Sequence, residues 1–200
     1  MNFSELVDVF EEIEATTKRL EMTSYLVELI KEAPKEELGK VAYLLQGKLY
    51  PDYEGVELGV AEKLLTKAAA EVAGKSEKTI EDDYKRSGDL GVTVERFLQR
   101  KSQATLIRNV LTVSTVYDTF DKIARASGSG SVEMKTRLLA RLLSDASPKE
   151  AKYIARMAVG KLRLGVADMT VLDALAVAYG GDKTAREPIE RAYNLSSDLG

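Results

Sequence analysis

The sequence contains neither cysteine nor histidine. Without cysteine, the chain can form no disulfide and has no thiolate nucleophile. Without histidine, it lacks the side chain that proteins use most often as a general base and as a zinc ligand. These two absences disfavour a hydrolase that depends on a serine–histidine pair, and they leave only carboxylates for a zinc site, which would be unusual.

Long apolar runs are also missing. No stretch reaches the roughly 18 apolar residues of a transmembrane helix, and the first residues have neither the positive charge nor the apolar block of a signal peptide. Asparagine and glutamine are scarce, whereas charged residues make up 30% of the chain, a bias typical of thermophilic proteins. We therefore expect a cytoplasmic protein, associated with the nucleoid if its source is archaeal, that makes no membrane contact.

Sequence motifs of common enzymes are absent as well. The chain has no Gly-x-x-x-x-Gly-Lys-Ser/Thr nucleotide loop, no Gly-x-Ser-x-Gly elbow and no calcium-binding loop. Acidic clusters occur at residues 11–14 and 81–83, where helical spacing favours solvent exposure over paired-carboxylate catalysis. The sequence thus predicts no catalytic residue, no metal ligand and no cofactor in this chain.

The charge is unevenly distributed along the chain. The net charge is −3, yet the segment from Lys122 to Arg163 holds ten Lys or Arg and only three acidic residues, Glu133, Asp145 and Glu150. A basic segment inside an acidic chain is how a single polyanion-binding face can look. The alternative is an ordinary solvated helix surface.

Apolar residues recur at helical spacing along the whole chain. Examples are the stripes Phe3, Leu6, Val7, Phe10 and Val113, Val116, Phe120, Ile123. Ser147-Pro148 and the stretch Thr184 to Glu187 have the residues of helix starts, and Gly74 and Gly180 those of helix ends. We therefore predict an all-α fold of about 11–12 short helices with no sheet.

The chain looks duplicated. Seven short matches follow one another in the same order in both halves. They are Phe10 to Ile13 with Phe120 to Ile123, Glu21-Met22 with Glu133-Met134, Pro34 to Glu36 with Pro148 to Glu150, Gly47 to Leu49 with Gly160 to Leu162, Leu58 to Ala61 with Leu164 to Ala167, Gly74 with Gly180, and Tyr84 and Asp89 to Gly91 with Tyr193 and Asp198 to Gly200.

This duplication predicts one helical domain, residues 1–200, with a first repeat at about 3–95, a linker at about 96–112 and a second repeat at about 113–200. The first copy carries an insertion from Tyr50 to Glu57. Two similar halves are expected to pack about a pseudo-two-fold axis, so that matching loops converge on one face, as the dyad of duplex DNA would require. Solenoid stacking is the alternative and would not produce such a face. In the linker, Leu106 and Ile107 could be a docking peptide or could pack into the core.

The segment from Gly160 to Ala167 is suited to phosphate. It carries two glycines and two cations, Lys161 and Arg163, and no acid. Glycine lets backbone N–H groups approach a ligand, and a following helix directs the positive end of its dipole toward an anion. Gly47 and Lys48 are the matching residues in the first copy. The alternative is a tight turn with solvated cations.

A second phosphate-suited segment is the Gly/Ser loop from Ser127 to Ser131, which precedes a predicted helix that carries Lys135. Its counterpart, Thr17 to Arg19, also combines a hydroxyl with cations, and a flexible surface linker is the alternative for the Gly/Ser loop. The predicted DNA-contacting residues are Thr17, Lys18, Arg19, Gly47, Lys48, Ser127, Gly128, Ser129, Gly130, Ser131, Lys135, Gly160, Lys161, Arg163 and Gly165.

Several of these motifs resemble the N-terminal DNA-binding domain of archaeal-type ATP-dependent DNA ligases, and the similarity runs from about Phe3 to Gly200. The motifs are Gly160 to Ala167, Val171 to Leu175, Leu44 to Pro51, Ser87 to Gly91 and Leu111 to Val113. The resemblance implies a monomeric, all-helical, internally pseudo-symmetric domain that binds the minor groove opposite a nick, largely through backbone contacts. It supports roles in replication, repair and recombination.

The chain departs from that family in two places. The adenylation motif Lys-x-Asp-Gly is absent, so we expect an excised domain that does not ligate alone, while a full-length parent would use ATP and Mg²⁺ with its adenylation and OB-fold domains. Relatives often carry a sliding-clamp peptide with paired aromatics in the linker, where this chain has Gln103-Ala104, and this argues against clamp binding. A different class of function also fits the sequence: a helical repeat scaffold whose basic face docks a protein.

Overall fold

The computed structural model describes residues 1–101 and 109–200, apart from the side chains of Lys101 and Lys183. These residues form eleven α-helices and no strand, which confirms the predicted all-α fold. The helices are α1 (Phe3–Glu14), α2 (Arg19–Glu32), α3 (Leu38–Leu45), α4 (Glu62–Ala73), α5 (Glu77–Ser87), α6 (Leu90–Lys101), α7 (Val113–Arg125), α8 (Ser131–Asp145), α9 (Pro148–Ala158), α10 (Asp168–Gly180) and α11 (Arg186–Ser196). None of these helices combines the length and apolarity needed to cross a membrane.

Local sequence signals set most helix ends. The Ser147 hydroxyl accepts a hydrogen bond from the Glu150 amide, and Pro148 is the first residue of α9, as predicted. Gly74 ends α4 in the left-handed conformation, also as predicted. At the end of α10 the left-handed cap is Gly181, one residue beyond the predicted Gly180. These ends are local features, and therefore they can be read from short motifs.

The predicted start of the last helix at Thr184 is wrong. The Thr184 amide and hydroxyl both donate to the side chain of Asp182, at 2.8 and 2.5 Å, and residues Lys183–Ala185 form a 3-10 turn. Helix α11 begins only at Arg186. The aspartate two residues upstream competes for the threonine, and it forms a turn in place of a helix cap.

The two halves of the chain are joined through reciprocal helix packing. Helix α2 packs on α10 and α4 packs on α8, while α1 packs on α9 and α3 on α7. Each pair joins a helix of the first predicted repeat to a helix of the second. When every helix is replaced by its counterpart, the α2–α10 pair becomes the α8–α4 pair, and the α1–α9 pair becomes the α7–α3 pair. Solenoid stacking would instead join successive units. The pseudo-two-fold arrangement stays a prediction, which this packing supports.

Matching side chains make matching contacts across the two halves. Asp89, which opens α6, accepts a 2.6 Å hydrogen bond from Arg156 of α9. Asp198, its counterpart, accepts a 2.6 Å bond from the Tyr43 hydroxyl of α3. Each aspartate also accepts a bond from the amide two residues later. The repeated Asp-Leu-Gly motif therefore anchors each half of the chain to the other.

One hydrophobic core extends through both halves. Phe10 and its counterpart Phe120 are fully buried, and Tyr153 of α9 stacks against Phe10 with ring centroids 5.1 Å apart. Burying an aromatic side chain of this size contributes about 2–3 kcal/mol. A shared core holds the loops of both halves in fixed relative positions.

The end of α6 overlaps the predicted linker. Helix α6 continues through Arg96 to Lys101, so the first third of the predicted 96–112 segment is helical. Leu106 and Ile107, and also Gln103 and Ala104, lie outside the described residues. After the gap, Leu111 is buried and the next helix begins at Val113, where the second repeat was predicted to begin.

Candidate nucleic-acid interface

The two glycine turns, one from each half, meet in the fold. Gly47 and Gly160 both have positive φ angles, of 68° and 65°, a conformation that glycine adopts without strain. A Cβ placed on Gly47 would lie 3.3 Å from the Cβ of Leu162 in the other turn. Nearby, the Val60 amide donates to the Ala158 carbonyl at 3.2 Å. Residues that are 113 positions apart in sequence thus form one surface.

The turn from Gly160 to Ala167 alternates between buried and exposed side chains. Leu162 and Leu164 are buried, whereas Lys161, Arg163 and Gly165 are exposed. The two leucines anchor the segment between α9 and α10 to the hydrophobic core. The four predicted site residues of this segment, Gly160 among them, are exposed.

The positive charge of Lys161 is paired with a carboxylate. Its ammonium donates to the carboxylate of Glu62, the first residue of α4, and to the Tyr84 hydroxyl at 2.9 Å. Tyr84 in turn donates to Glu62 at 2.8 Å. These hydrogen bonds lower the pKa of Glu62 and raise that of Lys161. Lys161 is therefore paired with a carboxylate in this structure, and a phosphate that bound it would have to displace Glu62.

Sequence reasoning missed Glu62 and Tyr84 as neighbours of this lysine. The other half contains a related arrangement, in which the Tyr193 hydroxyl donates to Asp168, the first residue of α10, at 2.6 Å. Tyr84 and Tyr193 are matched residues of the duplication, and each donates to the acid that begins a helix of its own half. The correspondence between the two tyrosines was therefore a signal that could have revealed the Glu62–Tyr84 pair.

Lys48, the counterpart of Lys161, is also paired. Its ammonium lies 2.7 Å from the carboxylate of Asp52, in the inserted loop between α3 and α4. The lysine side chain is 40% exposed and that of Asp52 is 82% exposed. A pair this exposed contributes little to stability and can be exchanged for another partner.

Arg163 and Lys135 are the predicted cations whose positive charge is not paired with a carboxylate in the part of the chain that the structure describes. Neither forms an ion pair or hydrogen bond with any residue that the structure describes. Arg137, which follows on α8, is likewise exposed and without such a partner there. These residues supply positive charge that no neighbouring carboxylate cancels.

The Gly/Ser loop leaves its backbone open. It joins α7 to α8, and its last residue, Ser131, is the first residue of α8, close to the predicted start at Val132. Added Cβ atoms on Gly128 or Gly130 would meet nothing within 4 Å. Gly130 caps the helix without any side chain, and therefore leaves room for an anion near the first amides of α8.

In the counterpart segment, Thr17 to Arg19, both cations form ion pairs with acidic side chains. The Lys18 ammonium pairs with Glu21 at 2.7 Å, and the Thr16 hydroxyl donates to the same carboxylate, so that the pKa of Glu21 is lowered. Arg19 pairs at 3.0 Å with the buried Asp173 of α10. The Lys18 ammonium is thus paired with Glu21, whereas Asp173 is shared between Arg19 and Arg186, so that one carboxylate faces two guanidinium groups.

The Arg19–Asp173 pair has a positional consequence. It holds the first residue of α2 beside the second turn of α10, the helix that directly follows the Gly160 to Ala167 turn. No group of three acidic residues suited to a metal ion occurs among the described residues.

Comparisons with known proteins agree on one family. The family described as DNA ligase N terminus matches residues 2–176. The chain is 51% identical to a DNA ligase of Nitrosopumilus maritimus over 200 residues, which is all of this chain and 34% of that protein. It is 52% identical to a DNA ligase 2 of Thermofilum pendens, covering 99% of this chain and 34% of that protein, and 50% identical to a DNA ligase of Staphylothermus marinus, covering 100% and 36%. The chain spans about a third of the length of these relatives, and it belongs to the DNA ligase N-terminal family.

Proposed function

We propose that this chain is the DNA-holding domain of an archaeal-type DNA ligase, and that it grips nicked duplex through backbone contacts in the minor groove. The observation that carries the proposal is the meeting of the Gly47 and Gly160 turns, one from each half. Two similar turns side by side suit the two backbones of a duplex, which are themselves related by a local dyad.

Positively charged side chains and unobstructed backbone amides would together make the contacts with the DNA backbone. Arg163 and Lys135 provide uncompensated positive charge, and the Gly/Ser loop provides open amides. Such groups bind phosphate and sugar, which are the same in every sequence. Binding should therefore show little sequence preference and a steep salt dependence.

Nick sealing itself would require more than this chain. The sequence has no Lys-x-Asp-Gly, so the residues present do not fit the family's covalent nucleotide chemistry, and no step is assigned to ATP or Mg²⁺ here. We propose that the domain acts as a monomer within a longer ligase in the cytoplasm, serving replication, repair and recombination.

Fluorescence anisotropy with a labelled nicked duplex at two salt concentrations tests the proposal. We expect micromolar or tighter binding, and Arg163→Ala should weaken it and reduce the salt slope by about one. Arg191→Ala, which removes an exposed arginine on α11, is the matched control and should change neither quantity.

Intact duplex and heparin are the competitors in that titration. Preference for duplex over heparin supports a DNA-holding role. Absence of binding at low salt would overturn the proposal and favour a basic surface that docks a protein.

A further inference from the structure

Two exposed aliphatic side chains occupy the same helix position in the two halves. Among the described residues, Leu20 is 78% exposed and Val132 is 63% exposed. Each is the second residue of its helix, α2 or α8, and each is followed by Glu-Met, one of the matches of the duplication. Met134 is also exposed, but its counterpart Met22 is partly buried, so that Leu20 and Val132 are the matched positions exposed in both halves of the described chain.

The position of this pair is as informative as its exposure. Val132 lies between the open Gly/Ser loop and the unpaired Lys135. Leu20 adjoins Arg19, which pairs with Asp173 in α10, the helix that follows the Gly160 to Ala167 turn. Both aliphatic residues therefore border the proposed DNA interface, where a solvent-exposed residue would ordinarily be polar.

We propose that Leu20 and Val132 contact the deoxyribose edges that line the minor groove, one residue on each strand of the duplex. This inference rests on the proposed function and deepens it. The C–H edges of deoxyribose that face the minor groove are apolar, and proteins that bind there frequently use apolar side chains such as leucine and isoleucine at their contacts. The unpaired cations Lys135 and Arg163 attract the phosphates, while the aliphatic pair fills the space between the phosphate rows.

The chain offers a direct test because it contains no tryptophan. Leu20→Trp and Val132→Trp each introduce a single local reporter at an exposed site, where a larger side chain disturbs no core packing. Adding intact or nicked duplex should shift or quench the emission of both variants. Leu195→Trp, at an exposed leucine of α11, is the control and should not respond.

Affinity measurements give a second readout. We expect Leu20→Ser and Val132→Ser each to weaken duplex binding about fivefold, whereas the salt slope stays the same because no charge is removed. Leu195→Ser should leave the affinity unchanged.

The outcomes separate this inference from the proposed function. Unchanged affinity of the double variant L20S/V132S, together with weaker binding of Arg163→Ala, would overturn the role of the aliphatic pair and leave the DNA-holding role intact. Failure of the unsubstituted chain to bind duplex would overturn both. A tryptophan response to a protein partner without any response to duplex would also overturn the inference.

Discussion

Lys161 shows how a single carboxylate changes the role of a cation. Its ammonium is held by Glu62 and Tyr84, so the turn presents less positive charge than its sequence predicts. Both charged side chains of this pair are about half exposed, and water therefore weakens the attraction between them. A phosphate could compete for the lysine only by displacing Glu62.

Removing that carboxylate should therefore strengthen DNA binding. We expect Glu62→Gln to tighten duplex binding about threefold to tenfold at low salt and to raise the salt slope by about one, because Lys161 becomes available for a phosphate. Anisotropy titrations over a range of salt concentrations measure both quantities.

Glu57→Gln is the matched control for this prediction, since it removes an exposed acid from the neighbouring inserted loop. An equal gain from both substitutions would mean that net charge alone controls binding, and that release of Lys161 does not.

Residue types at the interface could be predicted from the sequence, but their pairing could not. Arg163 and Gly165 were predicted as DNA-contacting residues, and the structure has both at exposed positions of the turn. Glu62 is 99 positions from Lys161, and only the packing of the helices brings the two together. No local motif contains that information, and for the same reason the sequence did not reveal the pairing of Arg19 with Asp173.

At the scale of elements, Asp89 links the start of α6 to α9. Its carboxylate caps α6 through the amides of Gly91 and Val92 and accepts from Arg156. Burial alone would raise the pKa of Asp89, but the hydrogen bond from Arg156 and those from the two amides outweigh it, so the pKa is lowered. The ionised form is therefore favoured by folding.

We expect Asp89→Asn to lower the free energy of unfolding by about 1–2 kcal/mol at pH 7. Since the folded-state pKa is lowered, the carboxylate stabilises the protein above its unfolded pKa of about 4, and the benefit disappears as pH falls through the folded pKa. Urea unfolding at pH 7 and at pH 3 measures the difference.

The control for this prediction is Asp82→Asn, at an exposed aspartate of α5. It should change stability little at either pH. A difference between Asp89→Asn and the unsubstituted chain that persists in full at pH 3 would contradict the assigned role of ionised Asp89.

Helix existence was the most predictable level of the fold. Apolar spacing and capping residues act within a few positions, so α1, α7 and α9 could be located from short windows of sequence. The start of α11 was missed because Asp182 captures Thr184. The linker predicted from about residue 96 overlaps the end of α6, where the buried Phe97 and Leu98 are followed by the polar Gln99 and Arg100.

At the scale of the whole molecule, the core belongs to both halves at once. Helix α2 of the first half packs on α10 of the second half. Their counterparts make the reciprocal contact, since α8 packs on α4. Removing any of these contacts should therefore weaken both halves to the same extent, because neither half holds a complete core.

We expect Ile123→Val in α7, at a fully buried position, to cost about 0.5–1.5 kcal/mol, and to lower the hydrogen-exchange protection of α4 and α8 by the same factor. Native-state hydrogen exchange, resolved by peptide, measures both helices in one experiment.

Val110→Ala, at a residue 73% exposed, serves as the control and should leave protection unchanged. Loss of protection confined to α7 and α8 would mean that the halves unfold independently, against the shared core described above.

The reciprocal packing also bears on how the chain folds as it is made. When the ribosome has produced α1 to α6, the apolar faces that will meet α8, α9 and α10 still have no partner. The first half must remain incompletely folded until the second half follows, and during that time its exposed apolar surfaces are accessible to other nascent chains. A chaperone, or rapid completion of translation, would protect it during that interval.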